Sequence, residues 1–265
     1  MIIDYEVFKE PSDENATIWR YLDFTKFVSL LQREALFFPT GESLKKADAF
    51  EGSLPEKNVV SRHTVYKFAV GDSEIDLQLL INSATMSNRG MAKFVLINSW
   101  HVNPHESAAM WKLYLKSDEG IAIRSTFKKL KASLSTQESL GIGLVNYIDY
   151  EKESFIEKSI FNLFLHKRKS FEHEQELRAI IFTLGDERYK EKDGSFNFVR
   201  AIDKDIYDGK DGDYIPICVD DLIEKVYIAP SAPLWFYELV KAIAKKYGLA
   251  EYIVTQSNLA KNPLY

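Results

Sequence analysis

Lys169-Ser-Phe-Glu-His-Glu-Gln-Glu-Leu-Arg-Ala-Ile-Ile-Phe182 is the stretch on which the reading of this chain turns. Its second half, Leu177 to Phe182, has the β-branched and aromatic character of a strand, whose side chains alternate between two faces. Continued backwards, that alternation puts Glu172, Glu174, Glu176 and Arg178 on one face and Phe171, His173, Gln175 and Leu177 on the other. A helix would disperse the same carboxylates around its axis. The extended reading therefore predicts a row of three acids and an arginine running into the apolar Ile180 and Phe182. Carboxylates so placed are desolvated and have raised pKa values unless Arg178 or Lys169 pairs with them. Glu174, Glu176 and Arg178 are the candidate catalytic residues, against the plainer alternative that Glu172 and Glu174 are a solvated lead-in and only Glu176 pairs with Arg178.

Working outward, Thr17-Ile-Trp-Arg-Tyr-Leu22 has strand composition. Asp23 is placed to cap a helix on which Phe24, Phe27, Val28, Leu30 and Leu31 recur at helical spacing, and Ala35-Leu-Phe-Phe38 is a further short strand. Helices are expected from Asp76 to Met86, around Ala108 to Tyr114, over Phe155 to Phe164, and between Pro233 and Gly248. Strands are expected over Ala92 to Asn98, Ile121 to Arg124, Ile215 to Val219, Val226 to Ala229 and Tyr252 to Gln256. The regular strand-helix alternation of a doubly wound sheet is missing, so the fold class is α+β, a mixed and mainly antiparallel sheet core with flanking helices. No repeat, linker or low-complexity tract divides residues 1–265, which read as one domain with a loose lead-in over 1–16.

Composition sets the boundaries. An apolar share of 46% over 265 residues is ample for a core without metal or disulfide support. The single Cys218 reads as buried strand, which suits a reducing compartment, and no apolar run approaches membrane-spanning length, so a cytoplasmic protein without a membrane partner is expected. A net charge of −5 and a pI near 5.7 give no general attraction to polyanions. The basic strips Phe127-Lys-Lys-Leu-Lys131 and His166-Lys-Arg-Lys169 read as solvated helix ends. His101 and His105 are four apart, but Pro104 between them breaks the helix a metal pair would need. No Gly-x-Ser-x-Gly elbow is present, and Gly141-Ile-Gly143 is too short for a phosphate loop and reads as a turn. Trp111 and Tyr114, three apart, would share a helix face and offer a stacking wall, although such a pair more often belongs to a core.

Four segments together resemble the bacterial family called domain of unknown function 2971. They are Trp19-Arg-Tyr-Leu with Ala35-Leu-Phe-Phe, Asp48-Ala-Phe-Glu-Gly52, Ala109-Met-Trp-Lys-Leu-Tyr114 followed by Gly120-Ile-Ala-Ile, and Lys169 to Arg178. The chain departs from the family's usual Asn-Asp-Pro-Phe-Glu, with Lys-Ala-Asp-Ala-Phe-Glu in its place. The order Arg20-Tyr21 with Asp23-Phe-Thr25, then Arg124-Ser-Thr126, then Glu174-Gln-Glu176 is also similar to that of the ADP-ribosyltransferases. That likeness implies a split antiparallel sheet gripping NAD, with Glu176 as catalytic carboxylate. It implies that Arg20, Tyr21, Thr25 and Ser125 hold the nucleotide and that Trp111 and Tyr114 line the cleft. It further implies an NAD-using transferase or NAD-cleaving effector, from a conflict or phage-defence setting, acting on a nucleic-acid or protein acceptor. Two other classes remain open at this point. One is a nuclease whose Glu172, Glu174, Glu176 and Lys169 act with magnesium, and the other is a non-enzymatic module that binds a partner protein.

Overall fold

The computed structural model describes residues 6–71, 73–115, 118–134, 139–157, 159–183, 193 and 210–261. Strand β1 (Thr17–Asp23) leads into helix α1 (Phe24–Arg33). The Asp23 side chain accepts from the backbone of Lys26, a cap worth about 1 kcal/mol. At the other end Glu34 turns left-handed at φ 46°, and its N–H closes the last carbonyls of α1. Strand β2 (Ala35–Pro39), the short helix α2 (Gly41–Leu44) and a helical pair, α3 (Glu56–Val70) and α4 (Glu74–Ala92), follow. Next come β3 (Val95–Val102), α5 (Ala108–Tyr114), β4 (Gly120–Thr126), α6 (Phe127–Ser133), β5 (Ser139–Leu144), β6 (Asn146–Ile148), β7 (His166–Arg168), β8 (Glu176–Phe182), β9 (Gly212–Pro216), β10 (Lys225–Ile228) and β11 (Val254–Gln256), with a helix over Leu234–Lys246 before the last strand.

Seven strands form the main sheet in the order β11-β10-β4-β1-β3-β8-β5, antiparallel at every junction except β10 with β11. The α+β expectation with a mainly antiparallel sheet therefore holds. One face buries Ile18, Leu22, Trp100, Ile123, Leu177 and Ile181 under Phe27 and Leu30 of α1, Phe127 and Leu130 of α6, and Phe236 and Val240 of the C-terminal helix. The opposite face is covered in two separate patches. Trp19, Tyr21, Ala122 and Tyr227 pack with Met110 and Trp111 of α5, whereas Val95, Ile97 and Ile180 pack with Phe8, Phe161 and Phe164. Among the described residues no helix is long and apolar enough to cross a membrane.

Several local expectations are corrected. Of the supposed loose lead-in, residues 1–5 lie outside the described residues, but Phe8 is buried, and Leu144 donates to the carbonyl of Lys9. Gly141-Ile-Gly143 is strand rather than turn. A Cβ on Gly141 would stand 2.3 Å from the Phe8 ring, and one on Gly143 would stand 3.0 Å from the Phe8 Cα, so the missing side chains admit the N-terminal segment. Cys218 is exposed rather than buried: it lies two residues past the end of β9, and the buried position there is taken by Ile217. The helix expected over Phe155 to Phe164 is a short 3-10 turn over Ile160–Phe164, and the basic residues after it form β7.

A candidate active-site cleft between two splayed strands

All seven residues of β1 pair with β4, from Thr17 opposite Thr126 to Asp23 opposite Gly120. Only Ile18 and Trp19 pair with β3, opposite Val102 and His101. From Arg20 onward β1 and β3 part, and a cleft of about 690 Å³ opens between them. Trp19 to Leu22 line one wall; Ile97 and Ser99 to His101 line the other, with Glu174 and Glu176, while Tyr114, Phe37 and Tyr214 add aromatic surface. Arg20 reaches across, its guanidinium donating to the Asn98 side chain at 3.1 Å and to the Ser99 carbonyl at 2.7 Å. These partners are neutral, and Arg20 forms no ion pair among the described residues. Burial lowers its pKa to about 10, partly offset by Tyr114, so it remains a cation at neutral pH, without a protein carboxylate to match it.

The acidic wall is not the extended row expected from alternation. Residues Lys169–Glu174 form a 3-10 turn, and Gln175 enters β8 in a left-handed conformation at φ 41°. Strand geometry begins only at Glu176, so Glu172 is exposed and leaves the cluster. Glu174 returns by another route, since the tight turn aims its side chain at Lys167 of β7. The Lys167 ammonium donates to both Glu174 and Glu176, the latter at 2.7 Å. Arg178, two residues along β8 and so on the same face as Glu176, donates through Nε to Glu176 at 2.7 Å. It also grips Glu51 with two bonds of 2.6 and 3.0 Å and gives a third to the Phe164 carbonyl at 2.7 Å. The chain Glu51–Arg178–Glu176–Lys167–Glu174 thus alternates in sign from the core to the cleft. Fully paired charges tolerate burial of this depth, whereas an unpaired member would not.

This alternation separates the two cleft carboxylates chemically. Burial pushes Glu176 upward, but the charges of Arg178 and Lys167 outweigh it and hold the carboxyl well below its usual range. Glu176 is therefore a permanent anion, further fixed by its own N–H donating to the Tyr147 hydroxyl at 2.8 Å. Burial raises Glu174 to about 7, helped by its hydrogen bond with Glu176 and by that neighbour's charge, and opposed by Lys167. At neutral pH Glu174 can both hold and release a proton, the property a general acid or base requires.

The structure brings together most of the residues singled out in the sequence. Arg20, Tyr21, Thr25, Tyr114, Glu174 and Glu176 line the cleft. Arg178 lies behind it as the clamp on Glu176. Ser125 is elsewhere: opposite Ile18 and further along β4 than the splay, it is buried and donates to the Leu222 carbonyl at 2.5 Å. Trp111 is also core, its ring edge-on to Tyr21 at 5.0 Å and its indole N–H directed to Glu106, so it backs the cleft wall without facing ligand space. Three contributors went unnoticed as site residues. Lys167 lies in a basic run that reads as a solvated helix end, yet it is only 9% exposed; Glu51 lies in the Asp48-Ala-Phe-Glu-Gly52 segment, next to a glycine at φ 67°. His101, dismissed as half of a metal pair, lines the cleft instead. Among the described residues no group of three His, Cys, Asp or Glu side chains is arranged to hold a metal ion. Glu174 and Glu176, two of the acids proposed for magnesium, are answered here by Lys167 and Arg178, and Glu172 lies outside the cluster.

The fold and site define an α+β protein whose mainly antiparallel sheet splays around a cleft, with an arginine that has no ion-pair partner among the described residues on one wall and two hydrogen-bonded carboxylates of opposite pKa shift on the other. Comparison with protein-family models, with curated proteins and with solved structures finds no match to this chain.

Proposed function

We propose that the cleft binds NAD and breaks its nicotinamide–ribose bond, passing the ADP-ribose to water or to an acceptor. The observation that carries this reading is the opposition, across one concave space, of Arg20 without a counter-ion and the Glu174–Glu176 pair. A half-buried arginine with no carboxylate partner among the described residues suits the pyrophosphate of a dinucleotide, and the aromatic walls suit its rings. As the glycosidic bond breaks, its electron pair leaves with nicotinamide and positive charge develops on the ribose. The fixed anion of Glu176 stabilises that charge without becoming protonated. The incoming nucleophile forms the new bond to the ribose carbon and gives its proton to Glu174, so that hydrolysis yields ADP-ribose, nicotinamide and one proton.

Chromatography of NAD incubated with the protein, following nicotinamide release, tests this directly. Glu174→Gln should slow release by about a hundredfold or more, the usual loss on removing a general base, while leaving the circular dichroism unchanged. Absence of NAD turnover by the wild-type chain, with water or with added protein and nucleic-acid acceptors, would reject the proposal. The sequence likeness to ADP-ribosyltransferases supports the same reading, with Ser125 and Trp111 removed from the set of nucleotide contacts and Glu174 taking the proton.

A further inference from the structure

His101 carries a buried ring nitrogen that no group among the described residues meets. Its Nδ1 lies 2.7 Å from the carbonyl oxygen of Glu174, which can only accept, so Nδ1 bears the hydrogen. Burial keeps the imidazole below the usual histidine range, against the raising influence of that same carbonyl, so at neutral pH the ring carries a single proton. Nε2 is then a bare acceptor. It is buried and has no hydrogen-bond partner, in a side chain only 3% exposed on the wall of the cleft. Buried polar atoms are almost always hydrogen-bonded, so an unpartnered acceptor on a cleft wall calls for a donor from outside the protein. The position is equally specific. Through Nδ1 the ring is tied to the backbone of Glu174, and the next residue is tied to the same strand, since Val102 donates to the Gln175 carbonyl at 2.9 Å. His101 stands opposite Trp19, at the point where β1 and β3 begin to part, with its ring 6.3 Å from that of Tyr21, so a group that meets Nε2 lies at the closed end of the cleft.

We infer that His101 Nε2 is a specificity-determining acceptor that reads an N–H donor on the leaving-group end of the ligand, namely the carboxamide of nicotinamide. The inference rests on the NAD reading above and goes beyond it by assigning which end of the dinucleotide faces β3 and which residue recognises it. It also accounts for a ring pinned as one tautomer, because the opposite tautomer would present a donor to the carboxamide N–H and repel it.

Calorimetric titration with NAD, with acetylpyridine adenine dinucleotide and with ADP-ribose decides the matter. The acetyl analogue replaces the carboxamide N–H₂ by a methyl group, and ADP-ribose lacks the ring altogether. The wild-type chain should prefer NAD to the acetyl analogue by roughly five- to tenfold, and His101→Phe should abolish that preference while leaving ADP-ribose affinity unchanged. Nitrogen NMR of the imidazole at neutral pH should show His101 with a bare Nε2. Dinucleotide binding with the same NAD preference in both proteins, or a protonated Nε2 in the free protein, overturns this inference alone. Failure of all three ligands to bind the wild-type chain overturns the NAD reading and the inference together. Should His101→Phe fail to fold, His101→Leu, which carries no acceptor, serves for the same comparison.

Discussion

Replacing Glu174 by glutamine removes one titration from the folded state, and its effect on stability has a definite sign. The carboxyl ionises near 4.5 in an unfolded chain and near 7 when folded, so between those values the native state holds the extra proton. Stability contributed by that proton is fully present below the lower value and is lost as pH rises through the upper one. A displacement from 4.5 to about 7 corresponds to about 3 kcal/mol, and the side chain is 14% exposed, so solvent screening removes only a minor part. The assay is urea unfolding by fluorescence at half-unit intervals from pH 4.5 to 8, at constant ionic strength, for the wild type and Glu174→Gln. Relative to the variant, the wild type should lose about 3 kcal/mol across this window, most steeply near pH 6. The opposite trend belongs to Glu176, whose depressed pKa contributes stability above the ordinary carboxylate range and loses it only in more acidic solution. Parallel curves for the two proteins between pH 5 and 7 would refute the claim that burial and the Glu176 charge keep Glu174 protonated.

Other perturbations follow from the same geometry. Arg178→Met leaves Glu51 buried without its counter-ion and Glu176 with Lys167 alone, and should destabilise the chain by about 3–5 kcal/mol in urea unfolding at pH 7. Gly143→Ala places a methyl group 3.0 Å from the Phe8 backbone and should cost about 1–3 kcal/mol in thermal or urea unfolding; a neutral outcome would mean that the N-terminal segment does not lie against β5.

Much of the architecture could be read from local pattern. β1, α1 and its Asp23 cap, β2, α5, β4, β10 and the helix after Pro233 all fall where alternation, helical spacing and cap chemistry place them, because each of those signals is contained within a few consecutive residues. Leu177 to Phe182 is a strand for the same reason. Its backward extension failed at Gln175, whose left-handed turn carries no strong local signature, and Glu172 was lost from the acidic group with it. The proximity of Arg20 to Glu174 and Glu176 was anticipated only through resemblance, since Arg20 and the acidic pair belong to segments far apart in the chain.

By itself, then, the amino-acid order determined the class of fold, most of its elements and the short-range partnership of Glu176 with Arg178, which period-two geometry requires. Tertiary structure alone decided which charges are buried. Lys167 and Lys169 look equivalent in a basic run, yet β7 turns the first into the interior between two carboxylates while the second stays exposed. Ser125 and Trp111 were drawn into the core by the registers of β4 and α5, away from the place where β1 and β3 part. Charge burial and strand splay arise from contacts between segments distant in sequence, and desolvation, on which the chemistry of Glu174 depends, exists only once those segments have closed around it.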